Sequence, residues 1–420
     1  FSYYDPQDKV LKPARQTQGD QETDYHAPGL GYHIDKHRNL WLCCNSGFDQ
    51  LTFSPRNYTL LRQERAGQYE IPNTIRGLFI DSQKRLWCAS KQGVIELYDS
   101  SDRYIGNLSR SGKIVNNPQT AFGASAYTFF EDSLHRMWIG CKEDGLFIAT
   151  PEKTGNYRIQ RYRHNAKDPY SLSENSIYDI CSDKQGRIWI GTYGGGLNLV
   201  ENPSAHPLHF IHKGNRLNSF PQEAFKVRNI CTTVDGVILA ATTGGLLSFD
   251  DDLGTPEDIV FHLNRSRQNQ ASSLSNNDVM YIYRRKNGDL YIVPYSGGIS
   301  RIASENLLSD SIEFVHFNKR NGLPSDLAYA ITESNDSSLW ITFQNSICRY
   351  DPETETAETY DRFDRQSHLA ISEVPPVTDS RNGLYVGTEN GLLRLDLNRL
   401  RKSDIVPPIV FTQVHIPGGD

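Results

Sequence analysis

Arginine and tyrosine recur at one regularly spaced position of this chain, and both side chains can bind a sugar. Successive members are 50 or 51 residues apart, apart from one interval of 101, and they are Arg76, Tyr127, Tyr178, Arg228 and Tyr329. Tyrosine stacks on the apolar face of a sugar ring and donates a hydrogen bond, whereas arginine presents a fork of donors to hydroxyl or carboxylate groups. We therefore predict that these five residues form an oligosaccharide-binding surface. The alternative is that they fill space between packed sheets, with the arginine heads reaching solvent.

A repeated phrase sets the elements that would position these residues. Its clearest copy runs from Asp183 through Gly186 and Trp189 to Gly196, and Tyr178 lies eleven residues before its tryptophan. Weaker copies are centred on Leu239, Tyr291 and Tyr385, which gives eight copies at spacings of 45 to 52 residues. Such a period indicates an array of one supersecondary unit. The residues predicted to be structural in this array are Trp41, Trp87, Trp138, Trp189, Trp340, Asp35, Asp81, Asp132 and Asp183.

Each unit reads as four short strands. In the clearest copy these are 176–181, 187–191, 197–200 and 209–212, with Asp183 and Gly186 bracketing the first turn. The aspartate can accept a hydrogen bond from a turn amide, and the glycine can take the positive φ that the turn needs. No helical periodicity of useful length is present, so the fold class is all-β. Four-stranded units of this length predict a β-propeller, because the rungs of the competing solenoid are usually shorter.

The two ends of the chain suggest how the ring closes. Residues 1–6 match 347–352, the third strand of the seventh copy, and the copy around Tyr385 has three strands without an obvious fourth. We therefore predict that residues 1–14 supply the missing strand and close a ring of eight blades. The alternative is a seven-bladed ring from Trp87 onward, with the copy around Trp41 belonging to a preceding propeller.

Charge and composition exclude several kinds of partner and site. The net charge of -6 gives no field that would attract nucleic acid. No apolar run has the roughly 18 residues that a membrane span needs. The seven cysteines form no CxxC pair, so we interpret them as free thiols that fill apolar space. His33 and His37 are separated by a predicted hairpin, and we predict neither a metal site nor a cofactor. Since Phe1 is not an initiator methionine, we interpret the chain as a processed or excised piece.

The phrase around Trp189, together with the segment from Tyr162 to Ile177, resembles the two-component regulator propeller repeat. The copy around Leu239 departs from it in its shorter turn at Asp235, and the copy around Tyr291 carries Arg285 in place of the turn aspartate. The tail after Val406 resembles the opening strand of the β-sandwich, named for three tyrosines, that follows such propellers. The expected domains are thus a propeller over 1–404 and the start of a sandwich over 405–420.

The resemblance implies the periplasmic sensor part of a hybrid two-component histidine kinase, of the kind found in gut bacteria. Sensors of this family often recognise glycan breakdown products, and they signal to a cytoplasmic kinase that controls glycan-utilisation genes. The resemblance also implies that the full-length receptor is a homodimer with a membrane segment. Neither that membrane segment nor the kinase lies within these residues. The segment itself is therefore expected to be no enzyme.

Two other classes of function stay open at this point. Propellers also include glycosidases and lyases, and the virginiamycin B lyases are the nearest enzymes in repeat pattern. The spacing of Asp183 and Gly186 does not fit the sialidase box, which has two residues from Asp to Gly rather than three. A protein-interaction scaffold is the third class. A sensor should have a deep polar mouth rich in Tyr, Trp and Arg on one face. An enzyme should have a carboxylate or histidine with a shifted pKa in that mouth. A scaffold should have an exposed apolar patch on its rim.

Overall fold

The computed structural model describes residues 73–252, 254–360 and 370–400, and before them Asp35 and the strands up to Leu61. The chain divides into two compact units. One holds residues 1–57, 364–367 and 398–420, and the other holds residues 58–363 and 368–397. Among the described residues no α-helix occurs, and three short 3-10 turns are present at Gln222–Ala224, Pro256–Asp258 and Lys319–Asn321.

The first unit contains two hairpins and a three-stranded antiparallel sheet. Its strands are β1 Ser2–Asp5 with β2 Val10–Pro13, β3 Arg15–Gln18 with β4 Gln21–Asp24, and the sheet β5 Gly31–Ile34, β6 Leu40–Cys44 and β7 Gly47–Leu51. The copy of the phrase around Trp41 lies in this sheet, and the indole Nε1 of Trp41 donates to Asp35 Oδ2 at 2.9 Å.

The second unit is a seven-bladed β-propeller made of antiparallel sheets. Strand β8, Tyr58–Leu61, precedes the first blade in the chain. Blade 1 is β9 Ile75–Ile80, β10 Leu86–Ser90, β11 Ile95–Tyr98, β12 Tyr104–Leu108 and β13 Ile114–Val115; blade 2 is β14 Ala126–Glu131, β15 Met137–Cys141, β16 Gly145–Pro151 and β17 Tyr157–Tyr162; blade 3 is β18 Ile177–Ser182, β19 Ile188–Thr192 and β20 Gly196–Val200. Blade 4 is β21 Val227–Thr232, β22 Val237–Thr242, β23 Gly245–Asp250 and β24 His262–Asn264; blade 5 is β25 Val279–Arg284, β26 Leu290–Pro294, β27 Ile299–Ile302 and β28 Phe314–Phe317. Blade 6 is β29 Ala328–Glu333, β30 Leu339–Phe343, β31 Ser346–Asp351 and β32 Thr356–Tyr360; blade 7 is β33 Val377–Thr378, β34 Gly383–Thr388, β35 Gly391–Asp396 and the early strand β8.

The first strand of each blade lies innermost and contacts the first strand of the next, and β33 of blade 7 contacts β9 of blade 1. Closure also uses β8, which pairs antiparallel with β35 so that Tyr58 faces Leu395 and Leu61 faces Leu392. The outer edge of β35 would otherwise expose unpaired backbone groups.

The predicted eight-bladed ring is wrong, and the propeller has seven blades, beginning with the copy around Trp87. That the copy around Trp41 belongs to a preceding propeller stays a prediction. Strand β1 pairs with β2 in a hairpin of its own, so it is not the closing strand. The propeller unit spans 58–397 rather than 1–404, because the copy around Trp41 belongs to the first unit. The predicted sandwich strand after residue 404 lies outside the described residues.

The core lies between the blades, where the marker tryptophans pack. Trp87, Trp138 and Trp189 are fully buried. The ring of Trp87 lies 5.8 Å from that of Phe129 in blade 2, and the ring of Trp189 lies 4.9 Å from that of Phe249 in blade 4. Each indole thus fixes its blade against the next one round the ring.

Candidate functional site

A β-bulge at the start of the innermost strand positions one residue in each of blades 1 to 6. In blade 3 the pairing register skips from Ile177 to Asp179, which leaves Tyr178 as the extra residue. The residues skipped in this way, in chain order, are Arg76, Tyr127, Tyr178, Arg228, Met280 and Tyr329. A bulge bends the strand and redirects the side chain of its extra residue. The side chain of the bulge residue is therefore turned away from the packing between blades, so this position need not be apolar.

The six bulge residues line one cavity of about 240 Å³ at the innermost strands. All five residues predicted from the sequence are among them, and Met280 occupies the same repeat position in blade 5. Other side chains that line the cavity are Leu78, Thr128, Phe129, Asp179, Asn229, Tyr281, Glu373, Val374, Pro375, Pro376 and Val377. The cavity is slightly smaller than the roughly 300 to 1,000 Å³ of drug-sized ligand sites.

Four side chains of blades 1 to 3 form a row of successive ring contacts, and the first three of them line the cavity. The guanidinium of Arg76 lies 5.8 Å from the ring centre of Tyr127. The rings of Tyr127 and Tyr178 are 5.2 Å apart and tilted by 58°, and those of Tyr178 and Tyr193 are 4.8 Å apart and nearly parallel at 20°. Burial, together with the neighbouring tyrosines, raises the pKa of Tyr178 to about 12. Its hydroxyl therefore stays protonated near neutral pH and can donate to a ligand.

Arg228 and Arg76 each pair with a carboxylate from another blade or its entrance. Arg228 donates from Nε and Nη2 to the two oxygens of Asp278, at 2.8 and 3.0 Å. Arg76 Nη1 lies 2.7 Å from Glu373 Oε2. Although burial opposes its charge, the hydrogen bonds to Asp278 raise the pKa of Arg228. Both carboxylates were missed by the sequence reasoning.

Asp179 follows the bulge residue Tyr178 and lies deeper between the blades. Its carboxylate accepts four hydrogen bonds, from Thr128 Oγ1 at 3.1 Å, the amide of Ile180 at 2.9 Å, Asn229 Nδ2 at 2.6 Å and the amide of Ile230 at 2.8 Å. Burial raises its pKa to about 6 in spite of these donors. A shifted carboxylate is what an enzyme should show. Four donors, however, occupy the roughly four lone-pair positions of the group, so it is held as a structural acceptor.

A second set of residues lies four positions after the central residue of each copy, such as Trp189 or Tyr291. This set was not predicted from the sequence as part of the candidate site. Tyr193 is one member, and its amide donates to Ser176 just before the innermost strand of blade 3. Tyr295 is the equivalent in blade 5, and it is 56% exposed with its amide bonded to Asp278 O at 2.7 Å. These contacts place both tyrosines beside the entrances of the innermost strands, on the side where the bulge residues lie.

Polar residues near the strand entrances serve as turn residues. Asn175 Oδ1 accepts from the His164 amide at 2.8 Å, Asn277 Oδ1 from the Ser266 amide at 2.7 Å, and Asp326 Oδ1 from the Lys319 amide at 2.9 Å. Within the part of the chain that the structure describes, no three His, Cys, Asp or Glu side chains are grouped to hold a metal ion. The same residues include no helix with the length and apolar character to cross a membrane.

Comparison with known proteins confirms the resemblance. Residues 171–194 match the two component regulator propeller family. Histidine kinase P4 of Formosa agariphila is 25% identical over 155 residues, which cover 36% of this chain and 10% of that protein. The extracellular domain of BT3049 from B. thetaiotaomicron, described as a hybrid two component system, superposes with a TM-score of 0.70 and 20% identity, over 96% of this chain and 50% of that one. This chain therefore spans half the length of that extracellular domain. The segment that aligns with the histidine kinase covers a tenth of the kinase.

An enzyme shares the fold as well. A catalytically inactive virginiamycin B lyase from Staphylococcus aureus superposes with a TM-score of 0.57 and 14% identity, over 81% of this chain and 99% of the lyase. At such identities the likeness to these solved structures establishes the propeller fold and leaves the chemistry to the site itself.

Proposed function

We propose that this chain, which carries a two-component regulator propeller repeat, is the ligand-sensing part of a hybrid two-component receptor. In this proposal it faces the periplasm, binds an oligosaccharide from polysaccharide breakdown in the cavity at the innermost strands, and catalyses no reaction. The full-length receptor would be a homodimer that passes the signal through the membrane to a histidine kinase controlling glycan-utilisation genes. The names of the histidine kinase and of the extracellular domain that resemble it support this assignment.

The row of ring contacts that runs from Arg76 through Tyr127 and Tyr178 to Tyr193 is the observation that carries the proposal. Aromatic faces suit the C–H surface of a sugar ring, and the paired arginines beside them supply donors for its hydroxyls. Apolar side chains, among them Met280 and Val374, also line the cavity. A lining that combines apolar and polar groups suits a pyranose, which presents both C–H and O–H groups.

The proposed function is tested by calorimetry with a panel of oligosaccharides on the purified chain. Replacement of both Tyr178 and Arg228 by alanine should weaken binding by at least about tenfold, because one stacking face and one donor fork are lost. Thermal unfolding measured alongside must show that the variant is folded, because Asp278 loses its ion pair with Arg228, whose side chain is 20% exposed. In the matched control, alanine replaces both Tyr170 and Arg103, which lie outside the cavity lining. If the parent protein and the Tyr178/Arg228 variant bind with equal affinity, the two side chains only fill space between the blades and do not bind the ligand.

A further inference from the structure

The arginines of the cavity are neutralised by their own protein partners. Arg228 is held by both oxygens of Asp278, and Arg76 Nη1 lies 2.7 Å from Glu373. The side chains of Arg228 and Asp278 are 20% and 29% exposed, so this pair is partly shielded from water, whereas Arg76 is 22% exposed and its partner Glu373 is 52% exposed. A partly buried ion pair is screened less by salt and attracts more strongly than an ion pair at the surface.

The described residues that line the cavity carry equal numbers of positive and negative groups. The arginines are Arg76 and Arg228, and the carboxylates are Asp179 and Glu373, with Asp278 directly behind Arg228. A site for a uronate or a sulfate ester needs a cation whose charge is not already matched. An added anion would instead lie close to the carboxylates of Glu373 and Asp278, and like charges in a partly buried site repel each other.

We infer that the cavity selects a neutral carbohydrate over an anionic one, and that Asp278 and Glu373 determine this preference. The inference rests on the proposed function, because it names the class of ligand for the same site. The two carboxylates also have free lone pairs, since a carboxylate offers about four and each accepts one or two of the bonds described above. Glu373, which lines the cavity, can therefore accept from a sugar hydroxyl while the arginines donate to other hydroxyls. Neutral hydroxyl groups satisfy both kinds of partner.

The test measures binding of matched disaccharide pairs that differ only in the group at carbon 6. The probes are the glucose, galactose and mannose disaccharides and the corresponding diuronates, titrated calorimetrically into the whole chain. The parent protein should bind a neutral member at least about tenfold more tightly than its uronate. The isosteric variants Asp278→Asn and Glu373→Gln each release one arginine charge. Each should bind the uronate more tightly than the parent does, with a binding constant that falls as salt is added.

Asp99→Asn is the matched control, because Asp99 forms an exposed ion pair with Arg103 at 2.8 Å outside the cavity lining. It changes the net charge by the same amount and should leave the preference unaltered. A parent protein that binds uronates more tightly overturns the inference and leaves the proposed sensor function standing. Neutral preference without any gain in the two variants overturns the role of Asp278 and Glu373. Binding of no disaccharide at all, while thermal unfolding shows a folded protein, removes the proposed function and the inference together.

Discussion

The indole Nε1 of Trp189 donates to Oδ2 of Asp183, six residues earlier, at 2.9 Å. The same aspartate oxygen accepts Arg187 Nε at 2.6 Å, and the other accepts the amide of Arg187 at 2.9 Å. The trio recurs in blade 1 as Asp81, Arg85 and Trp87 and in blade 2 as Asp132, Arg136 and Trp138. Blade 6 replaces both polar members, since the indole of Trp340 donates to Ser334 and Ser338 stands where the arginine would be. Blade 7 keeps the aspartate as Asp379 but has Gly383 at the arginine position, and Arg381 Nε donates to Asp379 Oδ2 instead. Blade 6 therefore changes both positions together, whereas blade 7 changes only the arginine.

We predict that Asp183→Ser is strongly destabilising alone and tolerated together with Arg187→Ser. The single change leaves a mostly buried guanidinium without its partner, which should cost about 3 to 5 kcal/mol of unfolding free energy. The double variant carries the two serines of blade 6, without the Asp336 and Arg349 that bond them there, and should be more stable than the single one. Urea unfolding of the parent, both single variants and the double variant measures the coupling. Additive losses would show that the serine pair of blade 6 has no compensating role.

Closure of the ring should depend on Asp102, a residue of the outer hairpin of blade 1. Its carboxylate accepts two hydrogen bonds from Arg381 Nη2 at 2.9 and 3.0 Å, and it lies 2.9 Å from Arg394 Nε. Tyr385 OH also donates to it. We predict that Asp102→Ala lowers the thermal midpoint and speeds amide exchange in β34, β35 and β8, because two arginines of blade 7 lose an anchor on blade 1.

The control for ring closure is Asp99→Ala, three residues earlier in the same hairpin. Asp99 pairs only within blade 1, with Arg103, whose side chain is 80% exposed. A surface pair of this kind contributes little to stability. Exchange that accelerates equally in blades 3 and 7 of the Asp102 variant would contradict a local role in closure.

The sequence predicted the blade unit well because the unit is held together by residues only a few positions apart. The turn aspartate, its arginine and the tryptophan all lie within one phrase. Even blade 5 keeps the pair with its charges exchanged, since Arg285 Nη1 bonds Asp289 Oδ2 at 3.1 Å where other blades have Asp and Arg. Arg285 taken alone looks like a departure from the phrase. Arg285 and Asp289 taken together keep the ion pair with the two residues exchanged.

Closure and the ion pairs of the cavity were harder to predict because their partners lie far apart in the chain. Tyr58–Leu61 carries no part of the repeated phrase, yet it pairs with a strand more than 300 residues later. Glu373 lies in the irregular segment before β33, so its repeat position is not defined. The ring of bulge residues was predictable from its spacing, whereas the bulges themselves leave no fixed residue type in the sequence.

The buried thiols should be inert while the protein is folded. Cys141 is fully buried, and this burial raises the pKa of its thiol, as burial also raises that of Cys231 to about 12. Because the thiolate is the nucleophile, a raised pKa suppresses alkylation of both thiols, and full burial adds to this at Cys141, whereas Cys231 is half-buried. Iodoacetamide labelling at pH 8, followed by peptide mass spectrometry, should therefore leave both residues unmodified. Labelling in denaturant should modify all seven cysteines, and rapid native labelling of Cys141 would contradict its placement.

Asp179 should make the stability of the propeller fall as the pH rises from about 4 to about 6. Burial raises its folded-state pKa from 3.8 to about 6, so the folded protein keeps a proton that the unfolded chain has already released. The stabilisation is complete below the unfolded pKa and is lost by the time the pH passes the folded pKa. A tenfold change in the proton affinity of one group corresponds to about 1.4 kcal/mol, so the loss approaches about 3 kcal/mol. Urea unfolding at several pH values measures it.

The contribution of Asp179 is isolated by comparison with Asp179→Asn, which cannot ionise. The amide can still accept the bonds from Asn229 and the Ile230 amide on one oxygen, and its NH₂ group can donate to the hydroxyl of Thr128. Subtracting the two stability curves cancels the titration of all other groups that the variants share. The parent protein should lose stability relative to the variant as the pH rises through this range. A flat difference, or one of opposite sign, would show that the carboxylate ionises in the folded protein as readily as in the unfolded chain.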